Sequence, residues 1–171
     1  MIFSQNKNYY FLLIFVALIL SGCSRKKEDA KSDIDILLEK RYEKLLTYSV
    51  DSLAFPRSYS YKGNAIKKVP SKDWTSGFFA GNLWQLYSLT GNQDYIEKAE
   101  EWTAFIEKEK FNNRTHDMGF KVYNSFGNGL KIKENKRYKN IIVESAKTLS
   151  TRFDENIKSI RSWDFNKEVW Q

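Results

Sequence analysis

The sequence predicts an all-α domain with its helices in two layers, on three observations. Apolar residues recur at three- and four-residue spacing from Asp33 onward, and Gly-, Asn- and Pro-containing stops separate the segments that carry this period. Segments with one strongly charged face also alternate with segments almost without charge. A helix with one wet face belongs to an outer layer, whereas a helix without charge has to be surrounded by protein. In such an arrangement the ends of the inner helices line a pocket.

The elements follow in chain order. Ile34, Leu37, Leu38, Leu45 and Leu46 mark a first helix over 33–50, behind an Asp33 able to cap it. Residues 51–74 hold both prolines, Pro56 and Pro70, around a polar run from Ser58 to Asn64, and read as a long loop. A second helix runs from Thr75-Ser76 to Leu89, with Phe78, Phe79, Leu83, Leu86 and Tyr87 facing the packing. Thr90-Gly91-Asn92 ends it with a residue free to take a positive φ.

The third helix, 93–110, carries the cleanest stripe, Tyr95, Ala99, Trp102 and Ile106, with Glu97, Glu100, Glu101, Lys108 and Glu109 on other faces. A shorter fourth helix over 117–126 is stopped by Gly127-Asn128-Gly129. A fifth, 135–153, begins at Asn135 and aligns Tyr138, Ile141, Ile142, Ala146, Leu149 and Phe153. No segment reads as a strand.

Ahead of this domain, Lys7 precedes an apolar run from Tyr9 to Leu20 and then Ser21-Gly22-Cys23. Twelve apolar residues are too few for a helix across a hydrocarbon core, which takes roughly 20. Residues 1–22 therefore read as a signal peptide. Leu20-Ser21-Gly22-Cys23 resembles the lipobox of bacterial lipoproteins, which makes Cys23 the lipidated N-terminus of an exported protein of the periplasm or outer membrane. Residues 23–32 are charged and polar, a disordered tether, and 33–171 form the domain. With one cysteine there is no internal disulfide and little basis for a thiolate zinc site. The net charge of +7, which becomes +6 without Lys7, suits an anionic membrane surface or an acidic polysaccharide. Export, and the scatter of the basic residues, argue against nucleic acid.

Two segments depart from ordinary helix sequence. Asp73 to Trp84 holds two glycines in one predicted helix, each costing about 1 kcal/mol relative to alanine. Either a ligand approaches there, with Trp74 offering a flat face to a sugar ring, or helices pack tightly. The second segment, Thr115-His116-Asp117-Met118-Gly119-Phe120, places the only histidine before an aspartate at a predicted helix start. Asp117 is then either an N-cap or a carboxylate that orients water. His116 is either a hydrogen-bonded structural residue or part of a site, and no metal-ligand cluster accompanies it.

The pair of motifs, W-T-S-G-F-F-A-G-N-L-W at 74–84 and H-D-M-G-F at 116–120, resembles glycoside hydrolase family 88, the unsaturated glucuronyl hydrolases. The resemblance extends through Tyr95 to Trp102 and Ser145-Ala146 to Arg152-Phe153. It implies an (α/α)6 toroid of six helical hairpins, of which this chain holds about five helices. It also implies removal of a 4,5-unsaturated uronic acid from lyase-generated acidic oligosaccharides, without metal or organic cofactor. Two aspartates share that work. The first carries over to Asp117, with His116 as a substrate contact and Trp74 and Trp163 as sugar-stacking residues. The second belongs to a segment like F-P-V-I-I-D-N after the loop Ser162-Trp163-Asp164-Phe165, and Asp164 itself has no catalytic role in the pattern. Gln171 comes before that segment, so the expectation is a truncated domain, inactive alone. The alternatives are an unsaturated rhamnogalacturonyl hydrolase and a glycan-binding lipoprotein without activity.

Overall fold

The structure, a computed structural model, describes residues 32–164. The signal-peptide and lipobox readings, including Cys23, lie outside the described residues, as does most of the tether. The described elements are α1 (Asp33–Leu46), β1 (Phe55–Ser60), β2 (Ala65–Val69), α2 (Ser76–Thr90), α3 (Gln93–Ala104) and a 3₁₀ turn (Glu107–Phe111). A π-helix (Gly119–Gly127), α4 (Asn128–Ile132), α5 (Lys136–Ser150) and the two-residue strands β3 (Phe153–Asp154) and β4 (Ser159–Ile160) follow.

The stops act where local chemistry puts them. Gly91 ends α2 at φ +71°, its N–H donating to Tyr87 C=O at 2.8 Å. Asn92 opens α3, its side-chain oxygen accepting from Asp94 N–H, and Asn135 does the same for α5 with Tyr138 N–H. α2 contains no charged residue and buries Phe79, Ala80, Leu83, Trp84 and Leu86. It packs on α3 to one side and the π-helix to another, while α5 packs on the π-helix. The aromatic centre is interlocked: Trp102 meets Phe55 and Phe79 edge-on at centroid distances of 5.1 and 5.0 Å. The buried Trp84 Nε1–H donates to Thr103 Oγ1 at 2.9 Å.

Several expectations are corrected. Residues 51–74 are not one loop, because β1 and β2 form an antiparallel hairpin. Pro56 was the reason to exclude a strand, yet in a two-stranded ribbon it sits beside a register shift between Pro56 and Ser58, where its missing N–H interrupts little. Phe55 and Val69, paired across the hairpin, anchor it in the core. The first helix stops at Leu46 rather than 50, which lets Tyr48 stack on Phe79 at 6.1 Å. The third stops at Ala104 and continues as the 3₁₀ turn. Glu109, expected on the wet side, is buried, since it lies three residues after Ile106 and seven after Trp102, on the apolar stripe. The fifth ends at Ser150, and Phe153 leaves its stripe for β3.

The glycines of α2 answer the packing question. A Cβ on Gly77 would lie 2.2 Å from Lys121 C=O and 2.3 Å from Phe120 C=O, so α2 and the π-helix are in backbone contact there. The predicted stop at Gly127-Asn128-Gly129 fails for a related reason. Gly127 and Asn128 have helical φ and ψ, and the chain continues as α4 to Ile132. Gly129 is required by space instead, because a Cβ would come within 2.8 Å of both Trp84 and Tyr138.

Candidate active site

A cleft of about 910 Å³ opens where the loop before α2 meets the loop before the π-helix. Lys72, Asp73 and Trp74 line one side, and Asn112, Arg114, Thr115, Asp117 and Phe120 another, with Trp163 completing the wall. Three of the sequence-predicted residues, Trp74, Asp117 and Trp163, therefore share one cavity although 89 positions separate the first from the last.

Asp117 is not an N-cap. The π-helix opens from Met118 without a side-chain cap, and the Asp117 carboxylate turns toward the cleft. Its Oδ2 accepts from Thr115 Oγ1 at 2.9 Å and from Trp163 Nε1 at 3.2 Å. Because an indole N–H can only donate, Trp163 demands an acceptor at that oxygen. Oδ1 lies 3.4 Å from His116 Nε2. The group is 9 % exposed and lines the cleft.

His116 stands beside Asp117 rather than on the cleft wall. Its backbone N–H donates to Ser162 C=O at 2.9 Å, its Nδ1 is 3.1 Å from the same oxygen, and its ring meets Trp163 edge-on at 5.1 Å. An isolated antiparallel bridge pairs Thr115 with Trp163. The 113–117 and 159–164 segments are thereby zipped together, and the zip sets the Asp117–Trp163 contact.

Sequence reasoning missed the residue that holds this zip. Arg152, buried two residues past α5, donates from Nε to Arg161 C=O at 2.7 Å and from Nη2 to Ser162 C=O at 3.1 Å. It also bonds Asn113 C=O and pairs with Asp164 at 3.2 Å. A planar five-donor fork satisfies all these acceptors from one side chain. Asp164, which also pairs with Arg161 at 3.3 Å, anchors the loop. No local signal marked Arg152, which follows Lys147, Thr148, Ser150 and Thr151 in a polar helix end.

On the opposite wall Asp73 is committed as well. Its Oδ1 accepts from Thr75 N–H and Oγ1 at 2.9 and 2.6 Å, and its Oδ2 from Arg57 at 3.1 Å. Arg57 lies over the Trp74 ring at 5.6 Å. Trp74, 44 % exposed, also meets Phe78 and Phe120 edge-on, and those two stack at 5.7 Å. Phe78, expected in the helix packing, instead extends this aromatic rim.

Below the floor, Lys121 is fully buried, with its Nζ 3.5 Å from Glu109 Oε2. At that length the pair is electrostatic, and the ammonium has no good hydrogen bond. Burial pushes Lys121 below its ordinary 10.5, against the opposing pull of Glu109 and, further off, of Asp117 and Asp73.

No protein-family profile matches the chain. It is 52 % identical over 169 residues to an unsaturated glucuronyl hydrolase of Formosa agariphila, covering 95 % of this chain and 42 % of that protein. An unsaturated glucuronyl hydrolase from a Bacillus species is 31 % identical over 94 residues, 53 % of this chain and 25 % of that one. The crystal structure of an unsaturated glucuronyl hydrolase specific for heparin superposes with a TM-score of 0.66 at 32 % identity, over 77 % of this chain and 34 % of that one. The chain thus spans less than half the length of the relatives it matches. Its helices and hairpin correspond to part of an (α/α)6 toroid, and each motif contributes to the cleft described above, Trp74 from the first and Asp117 and Phe120 from the second. By sequence and by fold, the chain belongs to the unsaturated glucuronyl hydrolases, glycoside hydrolase family 88.

Proposed function

We propose that this chain supplies one of the two aspartates, Asp117, of a hydrolase that removes 4,5-unsaturated glucuronic acid from the non-reducing end of acidic oligosaccharides. The observation that carries the reading is the Asp117 carboxylate, fixed at Oδ2 by Thr115 and Trp163 and open to a cleft with an aromatic rim. The names of the relatives at 52 % and 32 % identity support it.

In this chemistry water adds across the C4=C5 bond, with a proton going to C4 and the hydroxyl to C5. The resulting hemiketal opens and releases the next sugar, so no bond to the leaving group is attacked directly. The chain's own contribution is positional. Trp74 and Trp163 present faces to the ring, Asp117 handles a proton or water beside the double bond, and His116 with Trp163 holds Asp117 in place. The whole protein, given lyase-treated heparin or chondroitin, is expected to abolish the ultraviolet absorbance of the unsaturated sugar. Unchanged absorbance on all such substrates would sink the reading, and binding without turnover would favour a glycan-binding role.

The lipobox-like Leu20-Ser21-Gly22-Cys23 supports a second proposal, that the protein is exported and lipid-anchored through Cys23. Cys23→Ser is expected to eliminate incorporation of labelled fatty acid and release the protein from the membrane fraction. Equal labelling of both forms overturns it.

A further inference from the structure

One buried carboxylate staples the two loops that border the cleft. Glu109 Oε1 accepts from Ser71 Oγ at 2.7 Å, and its Oε2 accepts from Asn112 Nδ2 at 2.8 Å. Ser71 directly precedes Lys72. Asn112 precedes Arg114 by two residues and accepts the Arg114 N–H on Oδ1 at 3.2 Å. Further bonds hold the flanks: Asp73 is fixed by Thr75 and Arg57, and Asn113 C=O by Arg152. The backbone beneath Lys72 and Arg114 is therefore set by buried polar groups, at the cost of burying the Lys121–Glu109 pair.

Both cations are exposed and line the Asp117 cleft, and among the described residues neither forms an ion pair. That sets them apart from the other arginines around the cleft, since Arg57, Arg152 and Arg161 are all committed to carboxylates. A single uronate brings one negative charge and would leave one cation over. The cleft volume, near the upper end of the roughly 300–1,000 Å³ typical of small-ligand sites, has room for more than one sugar ring.

We propose that Lys72 and Arg114 together select oligosaccharides that carry a second anionic group, sulfate or carboxylate, on the sugar attached to the unsaturated uronate. The inference rests on the proposed reaction only for the identity of the uronate. Arg114 supplies a planar fork and Lys72 a point charge, so the two can share one oxyanion or take one each.

Equilibrium binding tests this without turnover, in the whole protein carrying Asp117→Asn. Three unsaturated disaccharides serve as probes, with the uronate joined to a neutral sugar, to its O-sulfated form and to a second uronate. At least one anionic probe is expected to bind about tenfold more tightly than the neutral one, the scale of a single charge-assisted contact. Which probe gains tells sulfate from carboxylate. That advantage, the ratio of anionic-probe to neutral-probe affinity, is expected to shrink in Lys72→Gln and in Arg114→Gln and to vanish in the double variant. Equal binding of all three probes, no binding of any, or an advantage that survives the double substitution overturns the proposal. Failure of the proposed reaction shows differently: the binding order holds, but the protein with Asp117 intact leaves the absorbance of all three unchanged.

Discussion

Asp117→Asn in the whole protein is expected to lower turnover by about 10²–10⁴-fold, the usual worth of a positioned proton-transfer group, with the fold unchanged. The substitution is close to isosteric. The asparagine carbonyl can still accept from Trp163 Nε1, and Thr115 Oγ1 can either donate or accept, so the local bonds that zip 113–117 to 159–164 have partners. What disappears is the group able to exchange a proton at that point in the cleft. Initial rates followed by the absorbance of the unsaturated sugar, with circular dichroism as the folding control, check this. Activity within a few-fold of the parent would remove Asp117 from the chemistry.

Lys121→Met is expected to cost about 3–5 kcal/mol of stability in urea unfolding, because it leaves the Glu109 carboxylate buried without its counter-charge. Adding Glu109→Leu removes the orphan charge and is expected to recover most of that loss. A residual deficit of about 1–2 kcal/mol remains for the buried Ser71 hydroxyl, which loses its acceptor. The pH dependence has a definite sign. Burial depresses the Lys121 value in the folded state, so between that value and 10.5 the unfolded chain binds more protons. Stability from this group therefore rises as pH climbs through that window, and the rise is absent from Lys121→Met. A single-variant loss below about 1 kcal/mol would mean that the pair does not support the loops.

Some of this architecture was legible residue by residue. The α3 stripe Tyr95, Ala99, Trp102 and Ile106, the Gly91 stop, the Asn135 start and the chargeless α2 are local patterns, and each came out as read. Misreadings arose where one residue type serves two purposes. Gly129 marks close packing against Trp84 and Tyr138 instead of a stop, Pro56 borders a strand irregularity instead of excluding a strand, and Glu109 is a buried staple instead of a wet-face charge. In each case the deciding partner is distant in sequence.

The candidate site divides along the same line. Composition and period determined a mainly helical chain, the two motifs singled out Trp74, His116 and Asp117, and the family resemblance they carry added Trp163. Such features depend on neighbours within a helical turn or on side-chain type alone. The tertiary structure decided that Asp117 faces a cleft, that Arg152 binds the loop carrying Trp163, and that Lys121 and Glu109 fix the loops carrying Lys72 and Arg114. Most of those outcomes depend on buried charges and donors finding partners far along the chain, 10 positions for Arg152–Ser162 and 46 for Asp117–Trp163. Unpaired polar groups are costly in the interior, which favours arrangements in which such partners meet, and one-dimensional spacing carries no record of which pairs will meet.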